Sequence, residues 1–251
     1  MRKGGGKRGR GPSVETVEGP DGEPIRVLVV DGAYQSATYL GKRRYEPVFS
    51  YYRAFDCLFE ARPAACDVLV LGGGGCAWPK HVVSTRPDVR LDVVEIDPAV
   101  VRLAEDEFFL RELVDEFGAA DRLRLVTADA RAYLDGCGKT YDAIVNDCFA
   151  GRAPVRSLMT LEAARSVARR LAPDGVYLAN VVTEHEGTDA STLSSAVAAL
   201  AQVFAHVQVL PCADEGFSGE DNYLAVASNG PLDLAGAVPF GPEFHGPVLR
   251  D

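Results

Sequence analysis

Four consecutive glycines, Gly72, Gly73, Gly74 and Gly75, follow the apolar run DVLVL and precede a helix-like segment. Glycines at such a junction let the backbone approach a ligand closely, and the helix that follows aims its free N–H groups at it. Gly72, Gly74 and Ala77 fit G-x-G-x-x-G/A, and Glu95 ends the next apolar run, where a carboxylate can accept hydrogen bonds from two ribose hydroxyls. That spacing serves a dinucleotide and a single nucleoside equally well. Two further carboxylates tip the balance. Asp129, in TADA after the third run, is placed to accept from an adenine amino group. Asp147, in IVNDCF after the fourth, falls at the carboxyl edge where open α/β sheets bind ligands. One nucleoside with a sulfonium tail needs these carboxylates and no second nucleotide half, so the expected cofactor is S-adenosylmethionine or decarboxylated S-adenosylmethionine.

Other side chains offer less specific chemistry. The six cysteines include no CxxC pair and the four histidines lie far apart, so neither a zinc site nor a disulfide framework is expected. Cys76 starts the helix after the glycines and Cys148 follows the fourth strand; they are either a reactive pair in one pocket or small buried side chains. Trp78, Phe149 and Phe217 are candidates for an aromatic acceptor wall or for core. Arg152 and Arg156 are candidates for pairing with an acceptor carboxylate or for solvated loop positions.

The elements that must hold these residues alternate short apolar runs with longer amphipathic stretches, the pattern of a parallel α/β sheet. Strands are expected at 67–71, 91–95, 122–126, 141–146 and 175–182. One helix should run from Pro98, at its first position, to about Phe117, before Gly118. After a helix at 191–204, HVQVL (206–210) and NYLAVAS (222–228) leave no room for a crossover helix, so the last strand should be antiparallel. The fold class is α/β: a Rossmann-like class I methyltransferase sheet with an antiparallel last strand, preceded by a small β-hairpin around residues 20–23. Tyr45, Val48, Phe49, Tyr52, Phe55 and Phe59 have helical spacing and predict one helix over 45–60. The expected organisation is a disordered basic tail (1–13), a hairpin and helix (14–62), a cofactor-binding domain (63–228) and a loosely packed tail (229–251) with four prolines.

At 251 residues, with 47% hydrophobic and 25% charged residues, the chain can bury the core of one domain. No apolar run approaches the roughly 18 residues of a membrane span and the amino terminus has no apolar segment, so a cytoplasmic protein without membrane contact is expected. The first ten residues carry five positive charges, and removing them from a net charge of −10 leaves a body near −15. Such a body repels phosphates, so nucleic acid is not an expected partner, and cationic ligands are favoured.

The sequence resembles the spermidine synthase family over about residues 14–228. VVDGAYQSA is similar to the family's L-x-x-D-G-x-x-Q-S segment, LVLGGGG to its glycine loop and VVEIDPAVV to its ribose-binding strand end; TADARAYL, YDAIVNDCF, LMTLEAARSVARRLAPDGVYLANV and NYLAVAS continue in order. The resemblance implies that Gln35 and the glycine loop (Gly72, Gly73, Gly74) contact the cofactor, Glu95 the ribose, and Asp129 with Ala130 the adenine. It also implies a homodimer. Tyr45 and Glu46, with one residue inserted, match the family's Tyr-Gln or Tyr-His pair, and with Phe149 they are the substrate-binding candidates. Two departures stand out. Gly75 replaces the aspartate of the family's G-G-G-D-G-G, and Asp147 is followed by Cys148, Phe149 and Ala150 where the family has D-S-S-D-P. The second aspartate of that motif accepts the attacking amine's proton, a service worth about 10² to 10⁴ in rate. Asp147 is then the one retained carboxylate at the reacting centre, catalytic or holding the cofactor's amino group. The function expected is methyl or alkyl transfer to a small-molecule acceptor, with an amine among the candidates. The rivals are true aminopropyl transfer using Glu46, Asp214 or Glu215, nucleotide binding without catalysis, and a nicotinamide-dependent oxidoreductase.

Overall fold

The structure is a computed structural model that describes residues 11–184, 190–212 and 220–251. Its amino-terminal part is a three-stranded antiparallel sheet, β1 (Ser13–Glu18), β2 (Pro24–Val30) and β3 (Ala33–Tyr39), where the sequence predicted two strands. The turn into the third strand is made by Asp31 and Gly32, both left-handed (φ 50° and 80°), the geometry that a D-G pair favours in hairpins. The predicted 45–60 helix is instead a turn followed by two short helices, α1 (Ser50–Ala54) and α2 (Cys57–Ala61). Its apolar side chains still face inward: Val48, Phe49, Tyr52, Phe55 and Phe59 are buried. The spacing reported burial correctly and helix continuity incorrectly.

The main body continues with β4 (Asp67–Leu71), α3 (Ala77–Thr85), β5 (Arg90–Glu95), α4 (Pro98–Glu107), α5 (Leu110–Phe117), β6 (Leu123–Thr127), α6 (Ala130–Gly136) and β7 (Tyr141–Asn146). A two-residue hairpin, β8 (Phe149–Ala150) and β9 (Ala153–Pro154), leads to α7 (Leu161–Arg170), β10 (Leu171–Glu184), α8 (Ser191–Ala201), β11 (His206–Cys212) and β12 (Glu220–Ser228). The sheet order is β6-β5-β4-β7-β10-β12-β11, with β12 antiparallel to both neighbours and the other pairs parallel. Val68, Leu69, Val70 and Leu71 of β4 are each at most 3% exposed, because helices cover both faces of a parallel sheet and every residue of a central strand is then core. Each such side chain contributes about 1.5 to 3 kcal/mol by leaving water.

Two further expectations are corrected. The helix from Pro98 breaks at Phe108 and Phe109; Phe108 is fully buried, and Phe109 turns left-handed (φ 62°) to start α5. The segment after residue 228 is docked: Leu234 is buried, Val238 pairs with Val209, and the Leu161 N–H donates to the Leu249 carbonyl. Among the described residues no helix is long and apolar enough to cross a membrane.

Candidate active site

At the carboxyl ends of β4, β5, β7 and β10 lies a cavity of about 690 Å³, with the β2–β3 turn and α1 forming its opposite wall. Gln35, Gly72, Gly73, Gly74, Glu95, Asp129, Ala130, Asp147 and Phe149 all line it. Residues from Gln35 to Phe149 therefore meet in one space, most of them carried there by the strand tips of the parallel sheet.

The glycine loop is shaped by what surrounds it. Gly72 has φ 90°, and a Cβ there would sit 2.4 Å from the carbonyl oxygen of Asp147, so the chain leaving β4 can pass the chain leaving β7 only without a side chain. The loop amides are already engaged. Glu95 Oε2 accepts from the N–H groups of Gly73 (3.1 Å) and Gly74 (2.9 Å), while Oε1 accepts from the Asp97 N–H at 3.0 Å. A dinucleotide's pyrophosphate would need those amides. A carboxylate offers about four lone-pair sites, so Glu95 can still accept from a hydroxyl in the cavity. Asp129 caps α6 by accepting from the Ala132 N–H at 2.8 Å and is exposed to the cavity beside Ala130.

Asp147 is half-buried at the cavity floor and accepts a hydrogen bond from the Asn180 side-chain amide at 2.8 Å. Burial pushes its carboxyl up to about 6, and that one hydrogen bond opposes the rise only in part. Asn180 is 4% exposed, and its carbonyl oxygen has no partner. Turning the amide over would set that oxygen against the Asp147 carboxylate, so the observed orientation is the favourable one. The floor thus presents the Asp147 carboxylate, an acceptor that suits an N–H donor, while the unpartnered Asn180 oxygen is buried behind it. Neither the orphaned oxygen nor Asn180 itself was found by sequence reasoning. The one available signal was its place near the end of an apolar strand adjacent to the one carrying Asp147.

Tyr45 and Glu46 lie outside this cavity. The Tyr45 hydroxyl donates to Glu116 at 2.8 Å and its ring meets Phe117 edge-on, while Glu46 accepts from Arg43 at 2.9 Å. Tyr51 and Tyr52 of α1 line the cavity instead. With Phe49 they form a stacked aromatic wall, the two tyrosine rings 4.2 Å apart. Gln35 lies nearby, its side-chain amide donating to the Gly151 carbonyl at 2.7 Å. Trp78 is core: it is 1% exposed and donates to Asp56 at 2.9 Å. Phe217, Asp214 and Glu215 lie outside the described residues.

The reactive thiol pair does not form. Cys76 is 1% exposed, away from the cavity lining, and burial pushes its thiol up to about 12. Cys148 does line the cavity, but burial first and the nearby Asp147 second raise its thiol well above the ordinary range. Both are inert as thiols. Cys66, Asp67 and Asp142 come close enough to hold a metal ion, yet Asp67 is paired with Arg90 and Lys139, and Asp142 accepts from two backbone N–H groups. Of the two candidate arginines, Arg152 lines the cavity and Arg156 donates to the Arg250 carbonyl instead.

The strand order and the strand-tip cavity define the class I methyltransferase-like fold. Solved structures share it: a probable spermidine synthase from Corynebacterium glutamicum superposes with a TM-score of 0.73 at 24% identity, covering 93% of this chain and 82% of that one. A spermidine synthase in complex with the transition-state analogue AdoDATO gives 0.68 at 22% identity, covering 89% and 73%. Human methyltransferase-like protein 13 in complex with SAH gives 0.59 at 23% identity, covering 78% and 86%. Residues 58–215 match the spermine/spermidine synthase domain, and the chain belongs to that family. Polyamine aminopropyltransferase 2 of Hyperthermus butylicus is 30% identical over 209 residues, and polyamine aminopropyltransferase of Vibrio vulnificus 33% identical over 126. The matched stretches cover 80% and 49% of this chain but only 64% and 39% of those relatives.

Proposed function

We propose that this protein binds an adenosyl sulfonium compound in the cavity and transfers an alkyl group from its sulfur to a small-molecule nucleophile. In this reading Glu95 holds the ribose, Asp129 and Ala130 the adenine, and Gly72, Gly73, Gly74 and Gln35 the remainder of the nucleoside. The tail's amino group is directed to Asp147, whose carboxylate the Asn180 amide holds in place. Proximity and alignment of the nucleophile with the sulfonium carbon supply the acceleration, since the sulfonium is already an activated leaving group.

The group moved is methyl, to an acceptor other than a diamine, and the packing around Gly75 carries this part. A Cβ at Gly75 would lie 2.8 Å from the Phe108 ring and 2.9 Å from Ser36 Oγ. The place of the family's aspartate is therefore closed by packing rather than merely changed in residue type. The second family acid is likewise replaced, in the Cys148–Ala150 stretch. A specific observation favours the second reading, aminopropyl transfer: the Asp147 carboxylate at the cavity floor suits the ammonium of a decarboxylated tail and repels a tail carboxylate.

The leaving nucleoside separates the two. Incubation with S-adenosylmethionine or its decarboxylated form, each with a panel of small nucleophiles that includes putrescine, is followed by chromatography of the nucleosides. Methyl transfer releases S-adenosylhomocysteine; aminopropyl transfer releases 5′-methylthioadenosine together with spermidine, and that result overturns the first reading. Binding of either compound without turnover of any acceptor supports the non-catalytic alternative.

A further inference from the structure

We propose that the segment 249–251 is a strap that presets the base end of the cavity, with Asp251 as a positioning residue acting through Arg131. Arg131 stands in the first turn of α6, two residues after Asp129, and lines the cavity. Its guanidinium joins elements that are separate in sequence. Nε donates to Asp135 at 3.0 Å, one terminal nitrogen donates to the Ser157 carbonyl at 2.9 Å, and Ser157 also lines the cavity. The same side chain is gripped by Asp251 through two contacts, of 2.8 and 2.6 Å. This is the fork geometry in which Arg–carboxylate pairs are strongest and most directional.

Asp251 is itself held in place. Thr160 donates to it at 2.7 Å, its own N–H donates to Glu162 at 3.1 Å, and the Leu161 N–H donates to the Leu249 carbonyl at 2.9 Å. These contacts tie the strap to the first turn of α7, where a carboxylate is also favoured by the helix dipole. Arg131 is 17% exposed, and its grip holds the Asp251 carboxyl at about 2, so the pair stays ionised throughout the neutral range. The pair sits at the seam between the turn bearing Asp129 and the 3-10 turn at Arg156–Leu158, the two walls that close on the base end. Without Asp251, Arg131 keeps its bonds to Asp135 and Ser157 but loses the partner that fixes its rotamer, and the separation of the walls becomes variable. Ligand binding must then restore it, which weakens affinity.

The inference rests on the reading that the adenine lies beside Asp129 and Ala130, and the test separates the two. Calorimetric titration of the full chain with 5′-methylthioadenosine compares the wild type with Asp251→Asn and Asp251→Glu. The expected result is affinity about three- to ten-fold weaker for Asp251→Asn, partly recovered in Asp251→Glu, with the wild type losing a similar factor near 0.5 M salt and Asp251→Asn changing little with salt. Amide hydrogen exchange without ligand reads the strap directly: Asp251→Asn should speed exchange at residues 130–134 and 157–159 and leave β4 and β5 unchanged. Unchanged affinity in Asp251→Asn, or a loss of melting temperature with no change in exchange at those residues, overturns the proposal. Failure of the wild type to bind any adenosyl compound refutes the adenosyl reading instead, and the exchange result then decides the strap alone.

Discussion

At the scale of single residues, Asp147 connects binding to pH. Its carboxyl is raised to about 6 in the folded protein, so between the ordinary carboxylate range and 6 the folded state holds a proton that the unfolded state has released. The sign follows: this group stabilises the fold as pH drops through 6 toward 4 and costs stability above it. Recognition runs the other way, because only the ionised form attracts an ammonium. Affinity for an amine-bearing adenosyl compound should therefore fall about ten-fold per pH unit below 6, while 5′-methylthioadenosine, which lacks the amine, is insensitive; calorimetry from pH 5 to 7.5 checks it. Asp147→Asn should remove the difference between the two ligands. At Gly75 the expectation concerns packing. Gly75→Asp restores the family's residue but drives a Cβ into Phe108 and Ser36, and should destabilise by about 1 to 3 kcal/mol in a denaturant melt. Full stability together with diamine binding would show that the Phe108 ring yields and that the methyl reading is mistaken. Such residues were legible because glycine and carboxylate at strand ends have few other uses. Asn180 was not, since an asparagine at a strand end gives no pattern until its neighbour across the sheet is known. Tyr45 was misplaced because sequence order ranks candidate tyrosines and only the turn before α1 selects among them.

At the scale of elements, α3 is tied to the amino-terminal sheet and to the α4–α5 break by Lys80, which is 1% exposed. Its ammonium donates to the Thr38 hydroxyl at 3.0 Å and the Phe108 carbonyl at 2.7 Å. Burial lowers its titration to about 7, so from 7 upward the folded state releases a proton that an unfolded lysine keeps until above 10. Stability should rise with pH in that window. The clearest range is pH 7 to 8.5, before the buried cysteines, raised by burial, begin to oppose it. Melting temperatures across this range should climb in the wild type and lose that slope in Lys80→Met. The same contact explains why the α4–α5 break was illegible. No glycine or proline marks it; it exists because Phe108 turns inward and its carbonyl meets a lysine from another helix. The central strand β4 was legible for the opposite reason, since burial on both faces writes it as an unbroken apolar run. The third amino-terminal strand was marked by Asp31-Gly32 and was overlooked because the strand beyond it, AYQSATY, alternates too weakly to stand out.

At the scale of the whole molecule, the sheet's strand order brings β4 and β7 side by side with β5 and β10 outside them, and their tips make one cavity whose lining draws on all three thirds of the chain. The antiparallel course of the last strand could be inferred from the missing crossover before it. The docking of residues 229–251 could not, because prolines in a polar segment read as loose chain and the contacts that hold it, Leu234 in the core and Asp251 on Arg131, are long-range. Glu95 bridges levels: one side chain fixes the glycine loop and faces the cavity, so Glu95→Gln should weaken adenosyl binding by at least about ten-fold, loosening the loop as well as losing a hydroxyl acceptor. The most direct measurement is a crystal structure with S-adenosylhomocysteine bound. The account predicts ribose hydroxyls on Glu95, the base against Asp129 and Ala130, and the amino group at Asp147. A nucleoside bound elsewhere, or one in this cavity with its sugar away from Glu95 and its tail away from Asp147, would contradict it.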